Sequence, residues 1–239
     1  MKYFLLFFAV AIHISGGWSE SGLNLTAQIT RARNAYLDLM KEKCYQNSTE
    51  EYQRFAELMD NATKCIHATA GPMVATPLKT LKDNIQSCVN EFIEELEECL
   101  PEDAKDWPQL SFDTMYSLLD FMYENKEEIF SPKVRTYLQK CGEDFQKDGV
   151  PPELAKCMNF STALDVKTSC QELRDMEKCF MEPVNKRCPG DESIEKLKMG
   201  FLEALKEPCA EYDVTENPVD NVFTLLAPYA PPNMNPDLM

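Results

Sequence analysis

The residues of this chain best suited to chemistry are its ten cysteines. Their positions are Cys44, Cys65, Cys88, Cys99, Cys141, Cys157, Cys170, Cys179, Cys188 and Cys209. A free thiolate acts as a nucleophile or a metal ligand, whereas paired cysteines form structural disulfides. Because the count is even and an apolar leader precedes all ten, the sequence predicts five disulfides and no reactive thiol.

Histidine-dependent catalysis would have to use a single residue. The chain has two histidines, and His13 lies in the leader, which leaves His67. A Ser-His-Asp or Cys-His mechanism needs that imidazole as its base, and the usual zinc sites need several His or Cys ligands. His67 follows Cys65 at the expected end of a helix, where a histidine commonly has no chemical role. The sequence therefore predicts no catalytic residue and no metal site.

Carboxylates are abundant but are not arranged for catalysis. Acidic residues crowd one predicted helix and its end, at Glu94, Glu95, Glu97, Glu98, Glu102 and Asp103. A glycosidase needs two carboxylates that converge across a cleft, whereas a run along a helix is typical of a solvated face. The chain also lacks a calcium-loop pattern and a glycine-rich phosphate loop. We therefore expect a non-enzymatic protein without a cofactor.

The overall charge argues against certain classes of binding partner. Lys and Arg number 24 against 40 Asp and Glu, which gives a formal net charge of −16 at pH 7. Nucleic acids and anionic membranes attract basic surfaces, so we expect neither as a partner. A strongly acidic chain is instead typical of a protein that stays dissolved at high concentration.

The N-terminal segment has the pattern of a secretory signal peptide. Lys2 supplies a positive start, residues 3–12 are apolar, and the small residues Ser15, Gly16 and Gly17 suit cleavage near Gly17 to Ser19. The apolar run is shorter than the about 20 residues that span a bilayer. We expect residues 1–19 to be removed and the mature protein to be secreted into an extracellular fluid. Four sequons for N-glycosylation follow, at Asn24, Asn47, Asn61 and Asn159.

Apolar residues recur every three or four positions along most of the chain, and only 8 glycines are present. This period predicts amphipathic helices, so the sequence favours an all-α, disulfide-rich helical bundle. Ser48 and Glu51 form a capping-box pattern at one helix start, and Ser131-Pro132 has the pattern of another. Helices are predicted at about 25–43, 49–66, 81–99, 111–125, 132–141, around 157 and 170–179, and at 194–205.

Prolines and glycines mark the expected breaks between these helices. Trp107-Pro108 lies in a predicted loop, and Pro189-Gly190 interrupts the chain before a last helix that starts at Asp191 or Ser193. Five prolines follow Cys209, and no helical period continues there. Residues 213–239 are therefore predicted to form a mostly extended, proline-rich tail.

The cysteine spacing indicates an internal duplication. The first four cysteines are separated by 21, 23 and 11 positions. A second set, separated by 16, 22 and 9 positions, is Cys141, Cys157, Cys179 and Cys188. We therefore predict two related helical disulfide units, at residues 20–130 and 131–212. Cys170 and Cys209 have no cysteine counterpart in the first unit, and we predict that they bond to each other.

Helix geometry predicts the remaining pairs. Cys88 and Cys99 lie eleven positions apart on one helix, a rise of about 16 Å. They cannot bond to each other, because the Cα atoms of a disulfide lie about 4.4–6.8 Å apart. If the first three helices run up, down and up, the ends of the first and third coincide. With transfer through the repeat, this arrangement predicts Cys44–Cys99, Cys65–Cys88, Cys141–Cys188 and Cys157–Cys179.

Several short motifs, together with the cysteine spacing, resemble one protein family. The motifs are Leu39-Met-Lys-Glu-Lys-Cys44, Cys88-Val-Asn-Glu-Phe with Glu-Cys99-Leu, Ser117-Leu-Leu-Asp-Phe-Met122, and the segment from Cys170 through Leu173 to Cys179. Over about residues 30–209 the chain resembles the insect 27 kDa haemolymph glycoproteins. The resemblance implies a secreted protein of haemolymph or a similar fluid, and it supplies no catalytic residue. Family members often carry cysteines near the positions of Lys79 and Tyr123, where this chain departs from them.

Two functions agree with these features. Seven methionines lie on or near predicted apolar faces, at Met40, Met59, Met115, Met122, Met158, Met176 and Met199. Because methionine side chains adapt their shape, the leading hypothesis is a secreted carrier for a small apolar ligand. The alternative is a protein-interaction factor, such as an immune or salivary component, that binds an extracellular protein through its surface or its tail.

Overall fold

The structure, a computed structural model, describes residues 34, 36–45, 48–69, 75–148 and 164–212. Within these ranges the chain consists of helices and short connections, without a strand. The all-α, disulfide-rich class predicted from the sequence is therefore confirmed. The predicted signal peptide, the first part of the first predicted helix and the proline-rich tail lie outside the described ranges.

The helices are named here in chain order. They are α1 (36–43), α2 (Thr49–Thr69), α3 (Leu78–Cys99), α4 (Trp107–Glu124), α5 (Lys126–Ile129), α6 (Pro132–Asp148), α7 (Val166–Met176), α8 (Glu182–Arg187) and α9 (Glu192–Lys206). A π-helical stretch at Glu177–Met181 joins α7 to α8. Single 3₁₀ turns occupy Glu102–Ala104 and Glu207–Ala210.

Side-chain caps begin several of these helices, as the sequence predicts. The Glu51 N–H donates to the Ser48 hydroxyl at 3.2 Å before α2, and the Val134 N–H donates to the Ser131 hydroxyl at 3.2 Å before α6. Asp191 is the N-cap of α9. Each cap satisfies N–H groups that have no partner within the helix.

Helix α4 begins earlier than predicted. The expected loop at Trp107-Pro108 and the expected start at Ser111 are wrong, because Trp107 is the first residue of the helix. Proline is tolerated in the first helical turn, where its missing N–H would have no partner anyway. Burial of the Trp107 side chain, which is 5% exposed, adds a reason for the helix to extend to this residue.

Two helical segments in the second half are longer than predicted. Helix α6 continues past Gly142 to Asp148, and an Arg187 side chain donates to the Asp144 carbonyl at 3.2 Å near its end. The segment 166–187 is one continuous helical run through the π-helical stretch rather than a short helix. The predicted helix around Cys157 lies outside the described residues.

Helices α2 and α3 form an antiparallel pair. Arg54 near the start of α2 contacts Glu95 near the end of α3, while Cys65 near the end of α2 bonds to Cys88 in the middle of α3. Helix α4 returns antiparallel to α3, since the Tyr116 hydroxyl donates to a Gln86 side chain at 2.7 Å and the Lys82 ammonium lies 2.5 Å from Asp120. Helix α1 runs parallel to α3, since Tyr36 lies near Phe92 and Cys44 after α1 bonds to Cys99 at the end of α3. The first three helices therefore run up, down and up, as assumed for the disulfides, and α4 continues the alternation.

The buried residues form two clusters, and α4 contributes to both. The first core contains residues of α1, α2, α3 and α4, together with Leu164 from the second predicted unit. The second core contains residues of α4, α7 and α9. Met115 and Leu119 of α4 face the first core, whereas Leu110 and Leu118 face the second.

Four disulfides join described cysteines, and they are the same four pairs that the sequence predicts. Their Cα–Cα distances are 5.4–5.6 Å for Cys44–Cys99, Cys65–Cys88, Cys141–Cys188 and Cys170–Cys209. Cys179 is also disulfide-bonded, and its predicted partner Cys157 lies outside the described residues. None of the cysteines in the described ranges is a free thiol.

The helical run 166–187 carries two of the bonded cysteines, Cys170 and Cys179. Cys170 and Cys179 are nine positions apart, the first in α7 and the second in the π-helical stretch. Their disulfides therefore fasten the run at two positions along its length. Cys170 faces the second core, where it is fully buried beside Cys209.

Candidate functional site

The first core is rich in aromatic rings that contact one another. The rings of Phe55 on α2 and Phe92 on α3 have centroids 5.2 Å apart, and Tyr36 on α1 lies 6.0 Å from Phe55 and 6.4 Å from Phe92. Tyr45, after α1, lies 5.3 Å from Phe55. Tilted aromatic pairs at these distances add attraction beyond the burial of their area.

The structure brings four of the seven predicted methionines into this core. Met40, Met59, Met115 and Met122 are at most 8% exposed and belong to the same cluster as the aromatic rings. Of the other three, Met176 packs against the second core, Met199 is 41% exposed on α9, and Met158 lies outside the described residues. The first core therefore combines aromatic rings with methionine side chains, which adapt their shape readily.

A polar edge, formed by Tyr45, Glu95 and Arg54, borders this core. The Arg54 guanidinium lies 2.5 Å from Glu95 Oε2, and the Glu95 side chain is 11% exposed. The buried Tyr45 hydroxyl lies beside the same carboxylate, although their alignment falls short of an ordinary hydrogen bond. Burial and the negative charges of Glu95 and Glu51 raise the pKa of Tyr45 well above its usual value. The hydroxyl therefore remains protonated and able to donate a hydrogen bond.

A second polar cluster surrounds the Lys198 ammonium on α9. It donates to Asn185 Oδ1 at 2.8 Å, to Glu195 Oε1 at 2.8 Å and to the Cys188 carbonyl at 3.3 Å, and it lies 5.1 Å from the centre of the Tyr137 ring. Burial opposes the charge, but hydrogen bonds with Glu195 and Tyr137 outweigh it and raise the pKa of Lys198. A protonated lysine with three acceptors is a structural cation and not a nucleophile.

Two tyrosine hydroxyls, of Tyr116 and Tyr212, connect α4 to neighbouring segments. Burial, then the charges of Asp113 and Asp83, raises the pKa of Tyr116 to about 12. Burial and the neighbouring Asp113 likewise raise the pKa of Tyr212 to about 12. The Tyr116 hydroxyl donates to Gln86 on α3, and the Tyr212 hydroxyl donates to Asp113 on α4.

The remaining sequence candidates are dispersed. His67 is exposed in the last turn of α2, and the acidic run from Glu94 to Asp103 follows α3 into the next turn. Within the described ranges no three His, Cys, Asp or Glu side chains converge on a possible metal site. In that same part of the chain no helix is long and apolar enough to cross a membrane.

Comparison with known proteins gives no further lead. No protein-family model, curated protein or solved structure matches the chain.

Of the four sequon asparagines, one lies in the described residues. Asn61 is exposed on α2, whereas Asn24, Asn47 and Asn159 lie outside the described residues. An exposed asparagine leaves room for a bulky, solvated sugar.

Sequence reasoning missed both polar clusters. The polar edge has one local signal, because Glu95 interrupts the apolar stripe between Phe92 and Leu96. A carboxylate in such a stripe needs a partner from another helix, and Arg54 supplies it. Lys198 carries no comparable signal, since a lysine on an amphipathic helix is usually solvated.

Proposed function

We propose that this protein is a secreted, non-enzymatic carrier for a small apolar ligand in haemolymph or a similar fluid. The observation that carries the proposal is the first core, where Met40, Met59, Met115 and Met122 share one cluster with the aromatic rings. Unbranched methionine side chains repack around a guest at lower cost than branched ones, because they have more accessible rotamers. Ligand sites of this type are mostly apolar with few polar groups.

The surroundings of the core support the proposal in two ways. The polar edge places the protonated Tyr45 hydroxyl at the border of the apolar cluster, where it offers one hydrogen bond to a ligand with a polar end. The disulfides Cys44–Cys99 and Cys65–Cys88 hold α1, α2 and α3 together. Repacking of side chains therefore need not separate the helices. A chain with this many disulfides is typical of extracellular proteins.

Mass spectrometry under native and then denaturing conditions tests the proposal. We expect protein purified from its native fluid to retain a lipophilic mass that is released on denaturation. Replacement of Met40 and Met59 by leucine should lower the retained fraction, because leucine keeps the volume but reduces adaptability. Met199→Leu is the matched control, since Met199 is exposed on α9. Protein that is empty in every preparation would refute the carrier.

An empty protein would favour the alternative, an interaction factor that binds an extracellular protein. The feature that supports this alternative is the sequence of the tail at 213–239, which carries five prolines and continues no helical pattern. Deletion of residues 213–239 should then abolish capture of the partner from the native fluid. The deletion should leave the retained lipophilic mass unchanged if the carrier proposal is right.

A further inference from the structure

The sequon at Asn61 lies inside a regular helix, which is an unusual place for a glycosylation signal to be read. Asn61 is exposed on α2, Ala62 is 7% exposed, and Thr63 is half-buried. The Thr63 hydroxyl donates to the Met59 carbonyl at 2.9 Å. The threonine of the sequon is therefore already engaged within the helix.

Helix geometry also separates the two residues that define the signal. A helix turns by about 100° per residue, so the asparagine and the threonine two positions later point about 200° apart. An enzyme that recognises both side chains cannot contact them from one side of α2. The signal becomes readable only when this part of α2 is unwound.

A disulfide fixes α2 in the helical state. Cys65 lies one turn after Asn61 and bonds to Cys88 on α3, with a Cα–Cα distance of 5.5 Å. The opposite face of α2 is buried in the first core through Phe55 and Met59. Once this bond and this packing have formed, local unwinding around Asn61 must work against both.

We propose that attachment of a sugar to Asn61 competes with closure of the Cys65–Cys88 disulfide, so that the order of these two events sets how much of the protein carries the sugar. The proposal rests on secretion but not on the carrier function. In the transfer, the Asn61 amide nitrogen loses a proton to a base of the enzyme and bonds to the first sugar carbon of a lipid-diphosphate-linked oligosaccharide. The carbon–oxygen bond to the diphosphate breaks, and the lipid diphosphate leaves.

The time available for modification is short. Cys88 follows Asn61 by 27 positions, which takes about 1–5 s at usual rates of synthesis. Disulfide formation takes seconds to hours. The disulfide can therefore begin to close within seconds of the synthesis of Asn61, and partial occupancy of Asn61 is the expected result.

The test isolates the one sequon in the full-length chain expressed in secretory cells. Asn24, Asn47 and Asn159 are replaced by glutamine, and occupancy of Asn61 is read in total cell protein from the mobility shift on endoglycosidase treatment. This readout does not require the chain to fold. Adding Cys65→Ser and Cys88→Ser should lower the unmodified fraction roughly twofold or more, because the helix is no longer fastened.

Cys170→Ser with Cys209→Ser is the matched control, since it removes a disulfide of the second core that is remote from α2. We expect this control to leave the occupancy of Asn61 unchanged. Equal occupancy in the Cys65/Cys88 variant and its parent would overturn the proposal, and so would an equal rise in the control. Absence of sugar at Asn61 in all variants would also overturn the proposal. If the chain without sugar still appeared in the medium, the protein would nevertheless be a secreted one.

Discussion

Gly200 on α9 approaches Phe121 on α4 so closely that a Cβ atom at position 200 would lie 2.6 Å from Cε2 of the phenylalanine ring. The same ring meets Phe201 edge-on, with centroids 6.5 Å apart. Glycine at this position therefore permits the close packing of two helices. The Phe121 side chain contacts both cores, so this contact lies at their junction.

A double-mutant cycle tests the contact. Alanine in a helix interior is normally favoured over glycine by about 1 kcal/mol, but Gly200→Ala should fail to stabilise the wild-type protein because the new methyl group presses on Phe121. In a Phe121→Ala background the same change should raise the free energy of unfolding by about 1 kcal/mol. Urea denaturation of the four proteins measures the difference. Equal effects of Gly200→Ala in both backgrounds would contradict the packing described here.

The Lys198 cluster should be important for stability. Lys198→Met keeps most of the side-chain volume but leaves Asn185 and the Cys188 carbonyl without their shared donor. We expect a loss of about 1–3 kcal/mol in the free energy of unfolding, the usual cost of unsatisfied buried polar groups. Chemical denaturation provides the measurement. Lys196→Met, at an exposed position on the same helix, is the control and should change little.

Acid should weaken the start of α9. Asp191 accepts backbone hydrogen bonds from Ser193 and Ile194, at 3.1 and 3.3 Å. The Lys133 side chain, followed by the Ile194 N–H, lowers the pKa of Asp191 to about 2. Because the folded pKa lies below the unfolded value of about 4, this stabilisation is present above pH 4 and is lost as the pH falls towards 2.

Thermal unfolding between pH 5 and pH 2 tests this prediction. The unfolding temperature of Asp191→Asn should fall less over this interval than that of the wild type, because asparagine caps the helix without titrating. Asp103→Asn, at an exposed position in the turn after α3, should behave as the wild type does. Parallel curves for the wild type and Asp191→Asn would show that the cap does not titrate as described.

The disulfides should differ in their resistance to reduction. Cys170 and Cys209 are 0% and 3% exposed, whereas Cys65 and Cys88 are only half-buried. A reductant has to reach a sulfur atom before exchange can begin. Partial reduction followed by alkylation and peptide mapping should therefore label Cys65 and Cys88 early and Cys170 and Cys209 last. The reverse order would contradict the burial of the Cys170–Cys209 bond.

Peptide mapping of the non-reduced protein also tests the fifth predicted pair. Cys179 is disulfide-bonded, and four other bonds account for eight cysteines, so Cys157 is the one cysteine of the sequence not yet assigned. We expect a linked peptide that contains Cys157 and Cys179. A Cys179 peptide linked to a second copy of the chain would refute this pairing.

The helices and the four described disulfides follow from local patterns that a sequence displays directly. The eleven positions between Cys88 and Cys99 exclude a bond between them, and the alternation of helix directions then brings Cys44 to Cys99. The start of α4 was mispredicted because Trp107-Pro108 has the composition of a loop. Tertiary burial of the indole decides that position, and burial depends on helices distant in sequence.

The contacts within the two polar clusters could not be predicted from the sequence. Tyr45, Glu95 and Arg54 come from three separate segments, and the packing of α2 on α3 and of the end of α1 against them brings these residues together. Lys198 is likewise defined by acceptors on other segments, including Asn185 before α9. Periodicity gives the buried face of each helix but not its rotation against a neighbour, so polar contacts between helices stay unpredicted.

Helix α4 packs into both cores and so connects the two predicted helical units. A fragment that ended at residue 130 would expose Leu110 and Leu118 to water, at a cost on the order of 3–6 kcal/mol. Since a whole domain is stable by only about 5–15 kcal/mol, neither half can lose its neighbour and remain securely folded. The two cores therefore depend on each other for their stability, and heating should melt the described helices as one cooperative unit.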